Sequence, residues 1–107
     1  MSFKDEYGIE LPSLETIDEQ ENPLIIAKFY NAIGNGEWYV IGGEELDNGD
    51  YYLFGYVKDL IEDELGFFTL QQIKSIGLIV QDETWKPIGL YTAFEELNYI
   101  KEMMERI

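Results

Sequence analysis

Residues 51–73, YYLFGYVKDLIEDELGFFTLQQI, constrain the fold more than any other segment of the chain. Within residues 51–57, aromatic residues alternate with leucine, glycine or valine from Tyr52 onward. This alternation predicts a strand, because successive side chains of a strand point to opposite faces. Gly55 inside that strand indicates a bulge or a closely approaching neighbour. Residues 65–68 predict a second short strand, so the stretch as a whole favours a sheet.

A short helix is predicted directly after that second strand. Thr69 and Gln72 have the spacing of a capping box, in which each side chain bonds the free backbone N–H of the other residue. Three apolar residues follow at helical spacing, the last of them Ile76, and Gly77 is expected to end the helix. Residues 58–64, between the two strands, predict an acidic loop or a single turn.

The preceding segment of the chain predicts a β-hairpin. Residues 24–30 are apolar on both alternating faces, which is typical of a central strand buried on both sides. Residues 34–36 give a turn signal, and residues 38–41 predict the second strand of the hairpin. Residues 42–50 predict an acidic loop whose Asp-Asn-Gly-Asp run lacks the ligand spacing of a calcium site, so a hairpin turn is favoured. Residues 78–80 predict an edge strand.

The C-terminal segment predicts a second, longer helix. Thr92 and Glu95 form another capping-box pattern. Apolar residues then recur at spacings of four and three, as in an amphipathic helix: Ala93, Leu97, Ile100, Met104 and Ile107. Together these patterns predict an α+β fold. It consists of a mainly antiparallel sheet of four or five strands, a short helix after Thr69 and a C-terminal amphipathic helix on one face.

Length and composition predict a single domain over residues 1–107. A chain of 107 residues with 46% hydrophobic side chains has enough material for one core. Residues 1–23 carry many acids against Lys4 alone, and we expect them to form a partly flexible acidic lead-in. They show no basic region followed by an apolar run, and the chain has no stretch of about 20 apolar residues. We therefore expect a cytoplasmic protein that does not associate with membranes.

The residue types argue against most enzyme chemistry. The chain has no cysteine and no histidine, which excludes disulfides, thiolate nucleophiles and the usual general base. A serine nucleophile would need a lysine base, and no S-x-x-K spacing occurs. Carboxylate pairs such as Glu44 and Glu45 could serve glycoside hydrolysis, but that reaction requires a cleft that so small a domain rarely provides. We expect no catalytic activity, no cofactor and no metal.

The order of aromatic and glycine positions resembles a bacterial domain family of unknown function that is carried on plasmids, phages and other mobile elements. The resemblance depends on four parts of the chain: Lys28, Trp38-Tyr39, residues 52–57 and residues 64–73. The family pattern includes W-x-W-Y, F-F-G-x-V and E-L-G-Y-F-S-L-x-E-L. This chain departs from the last motif in having Phe67, Thr69 and Gln72 where the family has Tyr, Ser and Glu. The resemblance spans about residues 11–80 and implies a similar fold and a mobile-element context. It implies no catalytic residues.

The aromatic side chains of residues 51–73 could in principle stack nucleic-acid bases. A nucleic-acid surface also needs Lys and Arg to offset the phosphates, and Lys58 is the one base in the neighbourhood. We therefore expect no direct binding of nucleic acid. The aromatic residues are instead expected to pack in the core: Tyr52, Phe54, Tyr56, Phe67 and Phe68.

Charge is the remaining functional signal, since 22 acids against 7 bases give a formal net charge of -15. Spread over a globule of this mass, that is roughly one excess negative charge per 400 Å², about a quarter of the density on duplex DNA. DNA mimicry would therefore require the acids to gather on one face. Three acidic clusters could do so, within residues 15–21, 44–50 and 59–64. The last two flank strand 51–57 at both ends and contain the candidate partner-binding residues: Glu44, Glu45, Asp47, Asp50, Asp59, Glu62 and Asp63.

These observations predict a non-enzymatic accessory protein of a mobile element that binds a protein partner with a basic surface. In its sharper form, the protein would be a DNA-mimic inhibitor of a host defence or DNA-processing protein. The alternative is a structural or self-associating module whose aromatic surface makes the contact. A third interpretation is that the acids only keep the protein soluble. The sequence does not fix the oligomeric state.

Overall fold

The computed structural model describes residues 2–59 and 63–97 and has an α+β fold dominated by antiparallel strands. Its main sheet has five strands in the order β5-β4-β3-β2-β6, and a second sheet pairs β1 with β7. The strands are β1 Leu24–Ile25, β2 Ala27–Asn31, β3 Glu37–Glu45, β4 Tyr51–Lys58, β5 Asp63–Thr69, β6 Ile79–Gln81 and β7 Ile88–Gly89. The predicted α+β class with a mainly antiparallel sheet is confirmed.

Four short helices complete the described ranges of the chain: α1 Phe3–Tyr7, α2 Leu14–Asp18, α3 Leu70–Lys74 and α4 Leu90–Ala93. Two of them lie in the N-terminal segment that the sequence predicted to be a partly flexible lead-in. Phe3 and Ile17 are both buried, and each helix begins with a serine cap, Ser2 for α1 and Ser13 for α2. The N-terminal segment therefore belongs to the packed structure.

The main sheet carries a hydrophobic core on each face. One core combines residues of α1 and α3 with the sheet: Phe3, Ala27, Phe29, Trp38, Val40, Tyr51, Leu53, Phe68, Leu70 and Ile73. The other contains residues of α2, α4 and the segment after α4: Ile17, Ile25, Tyr39, Ile41, Tyr56, Leu90, Phe94 and Leu97. Residues 24–30 were predicted to form one central strand buried on both sides. β2 does lie inside the sheet, between β3 and β6, but Leu24 and Tyr30 are exposed, so the prediction of a single strand buried on both sides is wrong. That segment is divided between β1 and β2, and β2 lies one position from the edge.

The predicted hairpins are present, but β3 is longer than expected. β2 pairs with β3 through the turn that contains Gly36, whose φ of 123° favours glycine. β3 continues to Glu45 and pairs with β4, so residues 42–45 belong to a strand and not to a loop. A β-bulge interrupts this pairing between Val40 and Gly42, next to Gly55. Gly55 therefore has both the bulge and the close neighbour that its position in a strand indicated.

The capping box at Thr69 is confirmed, since Thr69 and Gln72 each bond the other residue's backbone N–H at 3.2 and 2.8 Å. Helix α3 nevertheless ends at Lys74, and Ile76 is exposed, so neither Ile76 nor Gly77 has its predicted role. The predicted edge strand exists as β6.

The predicted capping role of Thr92 is wrong. Thr92 lies inside α4, whose N-cap is Gly89, and its hydroxyl accepts a hydrogen bond of 3.1 Å from Asn22 Nδ2. Of the predicted C-terminal helix, Leu97 is described and buried, whereas Ile100, Met104 and Ile107 lie outside the described residues.

Candidate functional site: the two charged ends of the sheet

The acids predicted to bind a partner lie at opposite ends of β4. Glu44, Glu45, Asp47 and Asp50 are on the β3–β4 hairpin, and Asp59 and Asp63 are where β4 passes to β5. The eight residues of β4 separate these two groups by about 25 Å. Glu62 lies outside the described residues. The predicted acids therefore form two sites with different surroundings.

Asp50 belongs to the interior and not to the partner-binding surface that the sequence assigned to it. The residue is 6% exposed, and its Oδ1 atom accepts hydrogen bonds from the backbone N–H groups of Tyr51 at 2.7 Å and Gln71 at 3.1 Å. It thereby joins the start of β4 to the first turn of α3. The carboxylate stabilises the fold, because it accepts from one buried and one partly buried backbone N–H group.

Glu45 fixes the N-terminal helix against the same hairpin. Its Oε1 atom accepts a hydrogen bond of 3.0 Å from the backbone N–H of Phe3, the first residue of α1. Directly opposite Glu45, the Tyr51 ring packs against Phe3 with ring centroids 5.1 Å apart. Burial raises the pKa of Tyr51 to about 12, with further contributions from the carboxylates of Glu6 and Glu45. Glu6 of α1 is therefore close to the hairpin acids.

Five exposed acids thus share one end of the molecule, which we call the hairpin-end acidic surface: Glu6, Glu10, Glu44, Glu45 and Asp47. Glu10 and Glu45 line one cleft of about 320 Å³, together with Lys4. None of the five forms a salt bridge with a residue of the described ranges. The sequence prediction missed Glu6 and Glu10, although the capping pattern of Ser2 and Asp5 was a signal for the helix that positions Glu6.

The opposite end of the sheet contains a groove lined by charges of both signs, which we call the lysine groove. Its volume is about 750 Å³, and its charged lining residues are Lys28, Glu37, Lys58, Asp59, Asp63 and Asp82. The register of the sheet explains the arrangement, because Glu37 pairs with Lys58 and Lys58 pairs with Asp63 across neighbouring strands. Cross-strand partners lie on the same face, so acids and bases alternate along one row.

Lys28 forms a salt bridge in this groove and also lies over an aromatic ring. Lys28 Nζ is 3.0 Å from Glu37 Oε2 and lies 5.4 Å from the centre of the Tyr39 ring. Burial lowers the pKa of Lys28, but its hydrogen bond with Glu37 and the nearby negative charge outweigh that effect, and the net shift is upward. Burial, and then the charge of Glu37, raises the pKa of Tyr39.

Lys58 has the corresponding role on β4. Its Nζ atom is 3.9 Å from Asp63 and 3.8 Å from Glu96, and it lies 5.2 Å from the centre of the Phe94 ring. Burial raises the pKa of Tyr56 to about 12, with Asp63 and Glu96 adding to the shift. Asp63 is thus a partly compensated charge, unlike the acids of the hairpin end.

The aromatic residues are divided between core and surface. Tyr56 and Phe68 are buried, as the sequence predicted. The prediction that Phe67 packs in the core is wrong, because its side chain is 54% exposed. It stacks on Tyr52 with ring centroids 5.0 Å apart and planes 8° from parallel. It also contacts the ring of Phe54, at 4.9 Å between centroids. An aromatic cluster therefore reaches the surface at the outer strand β5.

Within residues 2–59 and 63–97, no helix has the length and apolar character needed to span a bilayer. The same residues contain no group of three or more acids placed to hold a metal ion.

Comparison with known proteins found no family model, no curated protein and no solved structure that matches this chain.

Proposed function

We propose that this chain is a non-enzymatic acidic accessory protein that binds a basic surface of a protein partner through the hairpin-end acidic surface. In this proposal the partner's Lys and Arg side chains meet Glu6, Glu10, Glu44 and Asp47 where they would otherwise meet phosphates. The protein would thus act as a DNA mimic toward a host defence or DNA-processing protein. The mobile-element context implied by the family resemblance belongs to the same proposal.

The observation that carries the proposal is the contrast between the two ends of β4. At the lysine groove, the described salt bridges of Lys28 and Lys58 already compensate Glu37, Asp63 and Glu96. At the hairpin end, five exposed acids have no described ion pair. Uncompensated charge on one side of a small protein attracts an oppositely charged partner and accelerates encounter.

The hairpin end is also held in a fixed geometry. The Glu45–Phe3 hydrogen bond and the buried Asp50 carboxylate tie α1 and α3 to the β3–β4 hairpin. A charged surface that is already ordered loses less entropy on binding than a flexible acidic tail would. This supports a specific contact over simple solvation.

Self-association through the aromatic surface is the second candidate function. The observation in its favour is the exposure of Phe67, which stacks on Tyr52 at an outer strand and would bury apolar area in a contact. Added salt separates the two candidates. Binding between opposite charges weakens as ionic strength rises, whereas contact between aromatic surfaces does not.

The test uses DNA–cellulose loaded with proteins from a bacterial lysate at low ionic strength. Wild-type protein should pass through DNA–cellulose that carries no lysate protein, because both surfaces are negative. On the loaded resin it should release DNA-binding proteins, and release should weaken as NaCl is added. A hairpin-end variant should release far less: Glu6→Gln, Glu10→Gln, Glu44→Gln and Asp47→Asn. Glu45 and Asp50 are left intact because they hold the fold.

The control variant removes four exposed acids from other regions of the chain: Glu15→Gln, Glu19→Gln, Glu21→Gln and Glu83→Gln. Its net charge equals that of the hairpin-end variant, so the two proteins differ in the position of the charge alone. Equal loss of release in both variants would show that only bulk charge matters. Full release by the hairpin-end variant would overturn the proposed function.

A further inference from the structure

Within the described residues, the strand β5 lies at the edge of the main sheet and is paired on one side. It is the last strand of the five-stranded sheet, and within the described residues it pairs with β4 alone. A free edge presents unpaired backbone N–H and C=O groups that can accept another strand. Native proteins block such edges with bulges, prolines or inward-pointing charges, and β5 has a regular register with β4 over its whole length, Asp63–Thr69.

The middle of β5 has an exposed aromatic side chain and open space beside it. Phe67 is 54% exposed, and a Cβ atom at Gly66 would have no other atom within 4 Å. The acids Asp63 and Glu64 stand at one end of the strand, and its other end, Phe68 and Thr69, carries no charge. A strand that pairs with β5 should therefore place uncharged or basic residues opposite Asp63 and Glu64.

We propose that β5 pairs antiparallel with β5 of a second copy of this chain, about a two-fold axis at Gly66. In this register Leu65 lies opposite Phe67 of the second copy, and the reverse contact is made as well. The acids then face uncharged residues, Asp63 opposite Thr69 and Glu64 opposite Phe68. Like charges directly opposite each other would destabilise the pair, and this register avoids them.

The apolar rows of the two sheets are continuous across that axis. Within one copy, Phe67 pairs with Phe54 and Leu65 pairs with Tyr56, all on one face of the sheet. Placing Phe67 beside Leu65 of the second copy extends the row from one β4 strand to the other. Gly66 faces Gly66 on the opposite side of the sheet, where the absence of a side chain leaves room for close approach. A self-complementary patch of this kind is what a two-fold dimer requires.

A second copy fits this edge better than a basic strand of another protein would. Charge on β5 is confined to its first two residues, and the exposed centre is aromatic and aliphatic. The net charge of -15 on each copy opposes the association, so the dimer should be weak at low salt and should strengthen as salt screens the repulsion. This inference rests on the self-association candidate and is independent of the acidic-partner function, whose salt dependence has the opposite sign.

The first experiment uses the absence of cysteine from the chain. Gly66→Cys in the full chain introduces a single thiol at the proposed axis, and directly opposed residues of an antiparallel pair have Cβ atoms about 5 Å apart. Under mild oxidation, it should form a disulfide-linked dimer at least tenfold faster than the control Ile76→Cys, which places a thiol at a position 62% exposed elsewhere. The rate should rise with NaCl. Equal rates for the two variants would overturn the proposed register.

The second experiment measures molar mass by sedimentation over a range of protein and NaCl concentrations. Wild-type protein should shift toward dimer as either concentration rises, and Phe67→Glu should remain monomeric with an unchanged circular dichroism spectrum. Ile76→Glu is the matched control and should dimerise like wild type. A wild-type protein that stays monomeric at all salt concentrations would overturn the inference, as would a dimer that Phe67→Glu leaves intact. Neither result bears on release of proteins from DNA–cellulose, so the two proposals fail separately.

Discussion

Gly55 and Gly66 lie directly opposite each other in β4 and β5, yet their surroundings are opposite in kind. A Cβ atom on Gly55 would overlap the backbone carbonyl oxygen of Tyr39 in β3, beside the β-bulge. A Cβ atom on Gly66 would meet nothing within 4 Å. Glycine is therefore required at position 55, where β3 and β4 approach each other closely. Position 66, on the outer strand β5, has room for a side chain.

We predict that Gly55→Ala destabilises the protein by about 3 kcal/mol, because the added methyl group would overlap a backbone atom of β3 and could be accommodated only if β3 moved away from β4. Gly66→Ala, the matched control, should change the free energy of unfolding by less than about 1 kcal/mol. Urea denaturation of both variants measures the difference. Similar losses in the two variants would show that glycine at these positions is not distinguished by packing.

A second prediction concerns the buried carboxylate at the hairpin. Asp50→Ala should cost about 3 kcal/mol, because the backbone N–H groups of Tyr51 and Gln71 would be left without their charged acceptor. Asp47→Ala, in the same turn but exposed, should stay within about 0.5 kcal/mol of wild type. Thermal or urea unfolding checks both. A harmless Asp50→Ala would return that residue to the set of surface acids.

The sequence predicted the elements whose signals are local. The β2–β3 hairpin and the capping box at Thr69 each depend on residues close together in the chain. The edge strand β6 was predicted from its own apolar run, although its partner strand β2 is distant in sequence. The two N-terminal helices were missed because α1 and α2 have five residues each, too few for a repeating apolar face. The cap predicted at Thr92 is absent because of a contact between residues far apart in sequence. Asn22 donates a hydrogen bond to the Thr92 hydroxyl and accepts one from the backbone N–H of Tyr91.

The candidate site was predicted less well than the fold, because spacing along the chain does not report on burial. Asp47 and Asp50 belong to the same turn, and only the register of the hairpin decides that one is exposed and the other buried. Glu6 joins the hairpin acids through a contact between residues far apart in sequence, the Phe3–Glu45 hydrogen bond. Lys58 compensates Asp63 through cross-strand pairing.

The raised pKa values of two tyrosines predict how stability depends on alkaline pH. The pKa values of Tyr51 and Tyr56 rise from 10.0 to about 12 on folding. Between these values the folded protein keeps protons that the unfolded chain has lost, so the free energy of unfolding falls as pH increases. Lys28, whose pKa is also raised, acts in the same direction. Stability should therefore be retained below about pH 10 and decrease above it.

The measurement is the urea midpoint over this alkaline range, together with the absorbance of tyrosinate. In the double variant Tyr51→Phe, Tyr56→Phe the decline above about pH 10 should be shallower than in wild type, although the variant is expected to be less stable at neutral pH. Parallel declines in the two proteins would mean that other groups govern alkaline unfolding.

The last prediction is that the melting temperature rises with NaCl. The net charge of -15 opposes the compact state, and the described salt bridges involve Lys28 and Lys58 alone, so screening should relieve more repulsion than it removes attraction. A gain of about 1 kcal/mol would raise the melting temperature by roughly 4–8 °C in a domain of this size.

Calorimetry at protein concentrations that keep the chain monomeric separates this effect from salt-driven dimerisation. The acids removed in both variants lack described salt bridges, so the two proteins differ in the position of the lost charge. The hairpin-end variant should show a smaller rise than the charge-matched control, because we expect repulsion to be greatest among the acids that share the hairpin end. If the two variants respond alike, repulsion is spread over the whole surface and the hairpin end has no special share of it.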